Sequence, residues 1–479
     1  MEYTELADYP LTTGHVTEWI PVVVDPDTGW RVDHRPPSHN QADHVRRAAL
    51  HSSAVVRPGE WIGGVWQIAE NLDPDVLRRA LNRWFARHEA FRSLISRTDD
   101  GTLVRTTTPP ESIDFTAQPV GELHTSLRVY QHLKNYFDAT ITPSRWPHCV
   151  LATVDDPGRP GFTVVFGADH SVMDAYTQVL AISELTSLYR AELAGRPAEL
   201  PPSGSFLDFC SLERERFEHI DFEHPAVRTW LDYLAADDGD SPRFGLPLTE
   251  HPDRPNLRVF QSSLSLQLLD AERTAAFDAA CKAAGGKAGN GVVGAFARAE
   301  AALTGREHVR FVMPMHTRSE ERWATSAGWF VGLMPVDVAL PATSALSELL
   351  GSVADALRRH RDVVPIPYPH LSSIIENRTG RGLPAPRYVL SYVDVRYVPG
   401  ADAWAEQNAA VLRSECTAGD ELYIWISRSH TGLFFSARFP SNPVASANVF
   451  RLIAALREKL AEVIDDTSDV AAALSGHAV

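Results

Sequence analysis

The stretch FGADHSVMDAYT, Phe166 to Thr177, decides how this chain is read. From Phe162 the sequence is bulky, β-branched or small, and uncharged until Asp169, the composition of a strand with little access to water. Three titratable groups, Asp169, His170 and Asp174, then fall within six positions. A buried strand has no structural need of them. Either the cluster ends the strand in solvent or it carries chemistry.

Outward from that point the elements are legible. HCVLATV and FTVVFGAD flank the turn-rich DDPGRPG and predict an antiparallel hairpin ending at the cluster. AYTQVLAISELTSLYRAEL follows, with Val179, Leu180, Ile182, Leu185 and Leu188 at helical spacing. The charged groups thus sit on a strand-to-helix connection, where function concentrates. Earlier, DPDVLRRALNRWFARHEAFRSLI predicts a helix capped by Asp73 and begun by Pro74, with Leu77, Leu81, Trp84, Phe85 and Phe91 on one face. Arg78, Arg79, Arg83 and Arg87 lie on the other, read as a solvated surface.

AGRPAELPPSGS, 194–205, is the candidate linker and divides the chain into an N-terminal unit, 1–195, carrying the cluster, and a C-terminal unit, 206–479. Beyond it, Asp270 to Ala284 and Gly291 to Thr304 predict helices, HVRFVMPM a strand, and PRYVLSYVDVRYV and ELYIWISRSHTGLFFSARF further strands, the last folding back at Thr431-Gly432. Val444 to Ile464 predicts a closing helix. Strands and helices mix without strict alternation and without a repeat, so the fold class is α+β, an α/β sandwich built as two layered lobes with a cleft between them.

With 45 basic and 61 acidic residues the net charge is -16, which opposes nonspecific binding to nucleic acid or anionic membranes. Met1 to Pro10 has no apolar signal core and no apolar run approaches membrane-spanning length, so a cytoplasmic protein without stable membrane insertion is expected. Cys149, Cys210, Cys281 and Cys416 show no CxxC-type spacing, which disfavours zinc and a disulfide framework and leaves buried free thiols.

Three readings of the cluster compete. His170 and Asp174, four apart, could ligate a metal with Asp169, but His15, His316, His370 and His430 are scattered singly and offer no companion pair, so no metal is assigned. His170 could be a general base, since neutral imidazole accepts a proton from an alcohol or amine at cellular pH, with Asp174 orienting the loop or pairing with an arginine. Or His170 is a satisfied loop histidine and Asp174 a helix cap. An isolated HxxxD arises easily by chance and does not choose among them.

A resemblance spread along the chain does. ADHSVMDA resembles the HHxxxDG signature of nonribosomal peptide condensation domains and the HxxxD of chloramphenicol acetyltransferase-like acyltransferases. YPLTTGHVTEW resembles the condensation domains' opening motif, RHEAFRS their RHExLRT, and TWLDYLAA with GLPL their linker-proximal pattern. AGGKAGNGVVGAFARAEAALTG, the strand reaching MPMHTR, and GWFVGLMPVDV follow in the family's order. VLSYVDVRYVPG and YIWISRSHTGLFFSARFPSNPVA are similar to freestanding actinobacterial members, including the polyketide-associated acyltransferases that esterify trehalose lipids. Three positions depart from the pattern: Asp169 replaces the first His, Ala175 the Gly after the motif's Asp, and Gly332 stands where many members have Asn.

The resemblance implies two chloramphenicol acetyltransferase-like lobes in a V with a tunnel between them. It implies that His170 and Asp174 are catalytic, His170 at the reacting centre and Asp174 structural, paired with Arg318 or, as the rival partner, Arg396. It further implies a substrate channel with Asp169, Trp329, Ser391 and Asp394, the last three on the acceptor side, although Trp329 could equally be core. No bound cofactor is expected; the donor acyl group would ride on the phosphopantetheine of a partner carrier protein. The acceptor would be a small-molecule alcohol or amine. Put first is transfer of an aminoacyl or acyl group from that carrier in antibiotic biosynthesis. Beside it stand a glycolipid ester synthase of the polyketide-associated type, a coenzyme A-dependent acyltransferase and a noncatalytic recruitment module.

Overall fold

The hairpin read from the sequence forms the centre of a sheet. In the computed structural model, which describes residues 2–50, 61–250, 257–342 and 345–475, Cys149–Asp155 and Phe162–Asp169 pair antiparallel with Cys149 opposite Ala168. All eight residues of Phe162–Asp169 are buried, as a strand covered on both faces requires. Its sheet runs, edge to edge, Glu2–Glu5, Ala410–Arg413, Trp61–Ile68, Phe162–Asp169, Cys149–Asp155, Gly14–Val23 and Ile113–Leu123. Gly63 permits the close approach in the middle: a Cβ there would lie 2.0 Å from the Phe166 carbonyl oxygen.

The helices Pro74–Arg87 and Ala175–Leu193 cover one face and bury Leu81, Trp84, Phe85, Ile182 and Leu185 against it. Asp73 caps the first through Val76 N, with Pro74 at its first position. Its arginines are not merely solvated. Arg78 pairs with Asp114, Arg79 and Arg83 with Glu192, and Arg87 with Glu184.

The second sheet runs Val331–Ala339, His308–His316, Tyr388–Asp394, Leu422–Ser429, Gly432–Pro440, Val259–Asp270 and Thr417–Ala418. Ala271–Ala283, Ala288–Thr304, Leu346–Arg359 and Pro443–Ser475 pack on it around a core that includes Phe277, Phe296, Val353 and Leu456. A three-stranded sheet, Arg31–Asp33, Leu103–Thr107 and Ser93–Arg97, flanks the first. The strand expected to run through PRYVLSYVDVRYV stops at Asp394, whose carboxylate accepts from Arg396 N and opens a 3-10 turn over Val395–Tyr397.

Residues 197–205 form neither helix nor strand. They are nevertheless fastened to the second half of the chain: Gly204 N donates to the Arg322 carbonyl at 2.8 Å and Ser203 Oγ to that of Thr325 at 3.2 Å. The two halves also exchange structure. Ala410–Arg413, from the second half, lies between Glu2–Glu5 and Trp61–Ile68, parallel to the first and antiparallel to the second. The first sheet is therefore completed by a strand some 200 residues beyond the linker.

Candidate active site

Asp169 ends the buried strand and its Oδ1 accepts from Ser171 N at 2.8 Å, which turns the chain into a 3-10 turn over His170–Val172. The tight turn holds the His170 ring just beyond the end of this central strand, half-buried. Its Nδ1 is closed off from solvent without a hydrogen-bond partner, so Nε2 is the nitrogen left to meet another molecule. Trp329 lies against one face, with ring centroids 4.1 Å apart and planes at 36°. Burial pushes the His170 imidazole below its ordinary value and the nearby His44 adds to that; the charges of Asp174 and Asp169 oppose. An imidazole so placed is neutral near pH 7 and able to accept a proton.

Asp174 is 1% exposed and saturated. Arg318 Nη1 donates to its Oδ2 at 2.7 Å and Nη2 to its Oδ1 at 3.0 Å, a bidentate fork. Oδ1 also accepts from Thr177 N and Thr177 Oγ1, both at 2.8 Å, capping the helix Ala175–Leu193, and Oδ2 accepts from Phe330 N at 3.0 Å. Burial alone would raise this carboxyl; the Arg318 charge and these hydrogen bonds outweigh it and hold the group below the usual aspartate range. With every strong direction occupied, Asp174 does not reach a reacting atom. It ties the motif to the segment carrying Arg318, Trp329 and Phe330.

Arg396, the rival partner, is engaged elsewhere. Its Nε and Nη2 donate to Asp394 Oδ1 and Oδ2 at 2.9 and 2.6 Å, and its Nη1 lies 3.5 Å from Asp278. A guanidinium forked onto its own turn's cap has no fork left for Asp174, and by the same bonds Asp394 is committed to holding that turn rather than open to a substrate. Ser391 is buried on Tyr388–Asp394, opposite Trp425 of the next strand. Gly332 has a steric reason to replace Asn: a Cβ there would lie 1.8 Å from the Val364 carbonyl oxygen.

The helix His39–Leu50, not read from the sequence, supplies three supports from its first two turns. Asn40 Nδ2 donates to the Val331 carbonyl at 2.9 Å, Gln41 Nε2 to the Ser171 carbonyl at 2.8 Å, and His44 Nε2 lies 3.2 Å from Asp169 Oδ2. A start signal is present in SHNQ: Gln41 N donates to Ser38 Oγ and Ser38 N to Gln41 Oε1, a capping box directly after Pro36-Pro37. The helix behind it is polar, with small Ala42 and Val45 as its buried apolar residues among those described, and that composition hides the signal.

The RHE of RHEAFRS braces the same region. Glu184, 3% exposed, accepts from Trp84 Nε1 at 3.1 Å and Arg87 Nε at 2.7 Å, with His88 Nε2 2.6 Å away. His88 Nδ1 in turn accepts from Ala327 N at 3.3 Å, two residues before Trp329. Glu89 binds Arg35, which also holds Asp33 and Asp208.

Clefts of about 390 Å³ beside Arg83 and Arg87, and about 290 Å³ beside Trp404 and His430, lie away from His170. The site is defined by its converging groups rather than by void volume. No helix among the described residues is long and apolar enough to cross a membrane. The cysteines are free; Cys149, Cys210 and Cys281 are buried and Cys416 partly so.

Residues 62–383 match the family model described as the condensation domain. The chain is 26% identical over 476 residues to acyltransferase PapA3 of Mycobacterium tuberculosis, covering 96% of each chain. It is 26% identical over 438 residues to trehalose-2-sulfate acyltransferase PapA2 of the same organism, covering 90% of each. Among solved structures, a PapA2 acyl transferase superposes with a TM-score of 0.86 at 24% identity, over 97% of this chain and 100% of that one. The first condensation domain of the calcium-dependent antibiotic synthetase superposes with a TM-score of 0.65 at 19% identity, over 90% and 98%.

Proposed function

The chain belongs to the condensation-domain family and is an acyltransferase, and from that premise we propose that it esterifies a hydroxyl of a trehalose-type disaccharide with an acyl group taken from a phosphopantetheine thioester. The observation that carries this reading is the end-to-end match, 96% of both chains, to PapA3, joined by a 90% match to an enzyme named for its trehalose-2-sulfate substrate. Transfer of an aminoacyl group in antibiotic assembly, placed first on the sequence alone, therefore becomes the second reading.

The chemistry follows from the site. The acceptor hydroxyl approaches His170 Nε2 while Trp329 covers one ring face, so the reactants meet on the open side. As the hydroxyl oxygen attacks the thioester carbonyl, Nε2 takes its proton; the tetrahedral intermediate then expels the thiolate, which recovers that proton as thiol. Alcohol and thioester become ester and thiol, and the imidazole is returned neutral. Holding both reactants at the junction of the halves can itself contribute about 7 kcal/mol. The thioester arm is carried by an acyl carrier protein or by coenzyme A, and the protein binds no cofactor of its own.

The test pairs palmitoyl-coenzyme A and palmitoyl-carrier protein with trehalose, trehalose-2-sulfate and a panel of amines, products being identified by mass spectrometry. An acylated disaccharide that vanishes with His170→Ala is expected. Turnover with an aminoacyl carrier protein and a simple alcohol, and none with either disaccharide, would replace this reading by the antibiotic one.

A further inference from the structure

We propose that His44 is a positioning residue of the acyl-transfer site: from the helix His39–Leu50 it balances the buried carboxylate of Asp169 and braces Trp329 against His170, which makes an acid tolerable directly before the reactive histidine. The inference rests on His170 as the reacting base.

Asp169 is 1% exposed and His44 6%. Asp169 Oδ1 is occupied by Ser171 N, leaving Oδ2 to His44 Nε2 at 3.2 Å. Trp329 stands between the two imidazoles, edge-on to His44 at 5.6 Å and tilted against His170 at 4.1 Å. One side chain thus touches both the charge and the ring that packs on the reacting group. A lone carboxylate beside His170 would favour its imidazolium and remove the lone pair that accepts the proton; pairing that carboxylate with a cationic imidazole removes the bias.

The other groups around the two residues contribute less to this balance than His44. His148 also lies near Asp169 and helps to hold its carboxyl low, but less than His44 does: its Nδ1 bonds the Thr142 carbonyl and burial pushes its imidazole toward the neutral form. Asp174 is compensated by Arg318. His316 and Tyr3 lie near Asp174 on its other sides; burial drives the first toward the neutral imidazole and the second toward the neutral phenol. Burial would raise the Asp169 carboxyl, yet the His44 charge and hydrogen bond hold it low, as an ion pair requires.

The test needs no substrate. Imidazole C–H resonances of the full-length protein are titrated by NMR in wild type, His44→Gln, Asp169→Asn and the double variant, with His170→Ala and His44→Gln assigning the signals. His44→Gln should raise the His170 pKa by about one unit, and Asp169→Asn should lower that of His44 by about as much or more. The double variant, again without net charge at the pair, should return His170 toward its wild-type titration. A helix-docking role alone would lower thermal stability in His44→Gln and leave the His170 titration in place, and that outcome overturns the proposal. Should His44→Gln fail to fold, an unchanged His44 titration in Asp169→Asn overturns it equally. Because no turnover is measured, failure here is distinct from failure of the acyl-transfer reading, which would show as wild-type inactivity.

Discussion

Removing either member of the Asp174–Arg318 pair is expected to destabilise the protein strongly, and unequally. Asp174→Ala strands a guanidinium whose side chain is 5% exposed, and breaking a buried pair by deleting one partner costs about 3–5 kcal/mol. It also deletes the cap of Ala175–Leu193, worth about 1 kcal/mol. Arg318→Ala strands a carboxylate that still accepts from Thr177 N, Thr177 Oγ1 and Phe330 N, so it should fall at the lower end, about 3 kcal/mol. At about 2–4 °C per kcal/mol for a cooperative unit of 150–250 residues, Asp174→Ala should lower Tm by roughly 8–24 °C in scanning calorimetry. The double variant leaves no orphan charge and should cost less than the sum by about 2 kcal/mol. The pH dependence has a definite sign. The folded-state carboxyl is held low, so its stabilisation is complete above the ordinary aspartate pKa of about 3.9 and is lost as pH falls through the folded value. The Tm gap between wild type and Asp174→Asn should therefore narrow only below about pH 4. Single variants within 1 kcal/mol of wild type, on the order of a surface pair, or strict additivity in the double variant, would refute the placement of this pair as a buried brace.

His170→Ala should keep its near-ultraviolet circular dichroism and Tm while kcat/KM falls by about 10²–10⁴, the usual worth of a general base; a fully active variant would exclude His170 from the chemistry. In wild type the imidazole is held below its ordinary value, so it stays neutral to lower pH than a free histidine, and the acidic limb of the kcat/KM profile should lie below about pH 6.5. Trp329→Ala opens the covered face of that ring, and the limb should move toward the ordinary histidine value as water reaches the imidazole; an unmoved limb would show that Trp329 does not desolvate it. Restoring Asn at Gly332 pushes a Cβ onto the Val364 carbonyl and should cost about 1–3 kcal/mol or more by chemical denaturation; a neutral substitution would mean that the 364 backbone yields easily.

What the sequence reveals of this site depends on how far apart the contributing residues lie. The hairpin, the motif and the helix after it are local, so alternation, turn residues and helical spacing expose them, and the structure has them at Cys149–Asp155, Phe162–Asp169 and Ala175–Leu193. The fork between Asp174 and Arg318 spans 144 positions; spacing cannot choose between Arg318 and Arg396, and the backbone settles it by turning Arg396 onto Asp394. The supporting helix His39–Leu50 escapes because its work is polar. Asn40, Gln41 and His44 bind a carbonyl, a carbonyl and a carboxylate, so no apolar stripe marks the face that matters. Nor does periodicity reveal the strand Ala410–Arg413, whose four residues pair with Ile62–Val65 across about 350 positions.

These long-range ties bear on how the two halves can move. The first sheet includes a strand from the second half, the motif helix is capped through a carboxylate held by Arg318, and the Trp329 loop hangs from His88 as well as from Thr177. A wide hinge opening would break a strand pairing and a buried ion pair at once, each unfavourable by several kcal/mol. Turnover is therefore expected without a wide opening of the halves, with Trp329 covering one face of the imidazole throughout. A crosslink between the halves placed away from His170 should accordingly leave turnover intact. Marked slowing by such a crosslink, with normal Tm and substrate KM, would show instead that opening is part of the cycle.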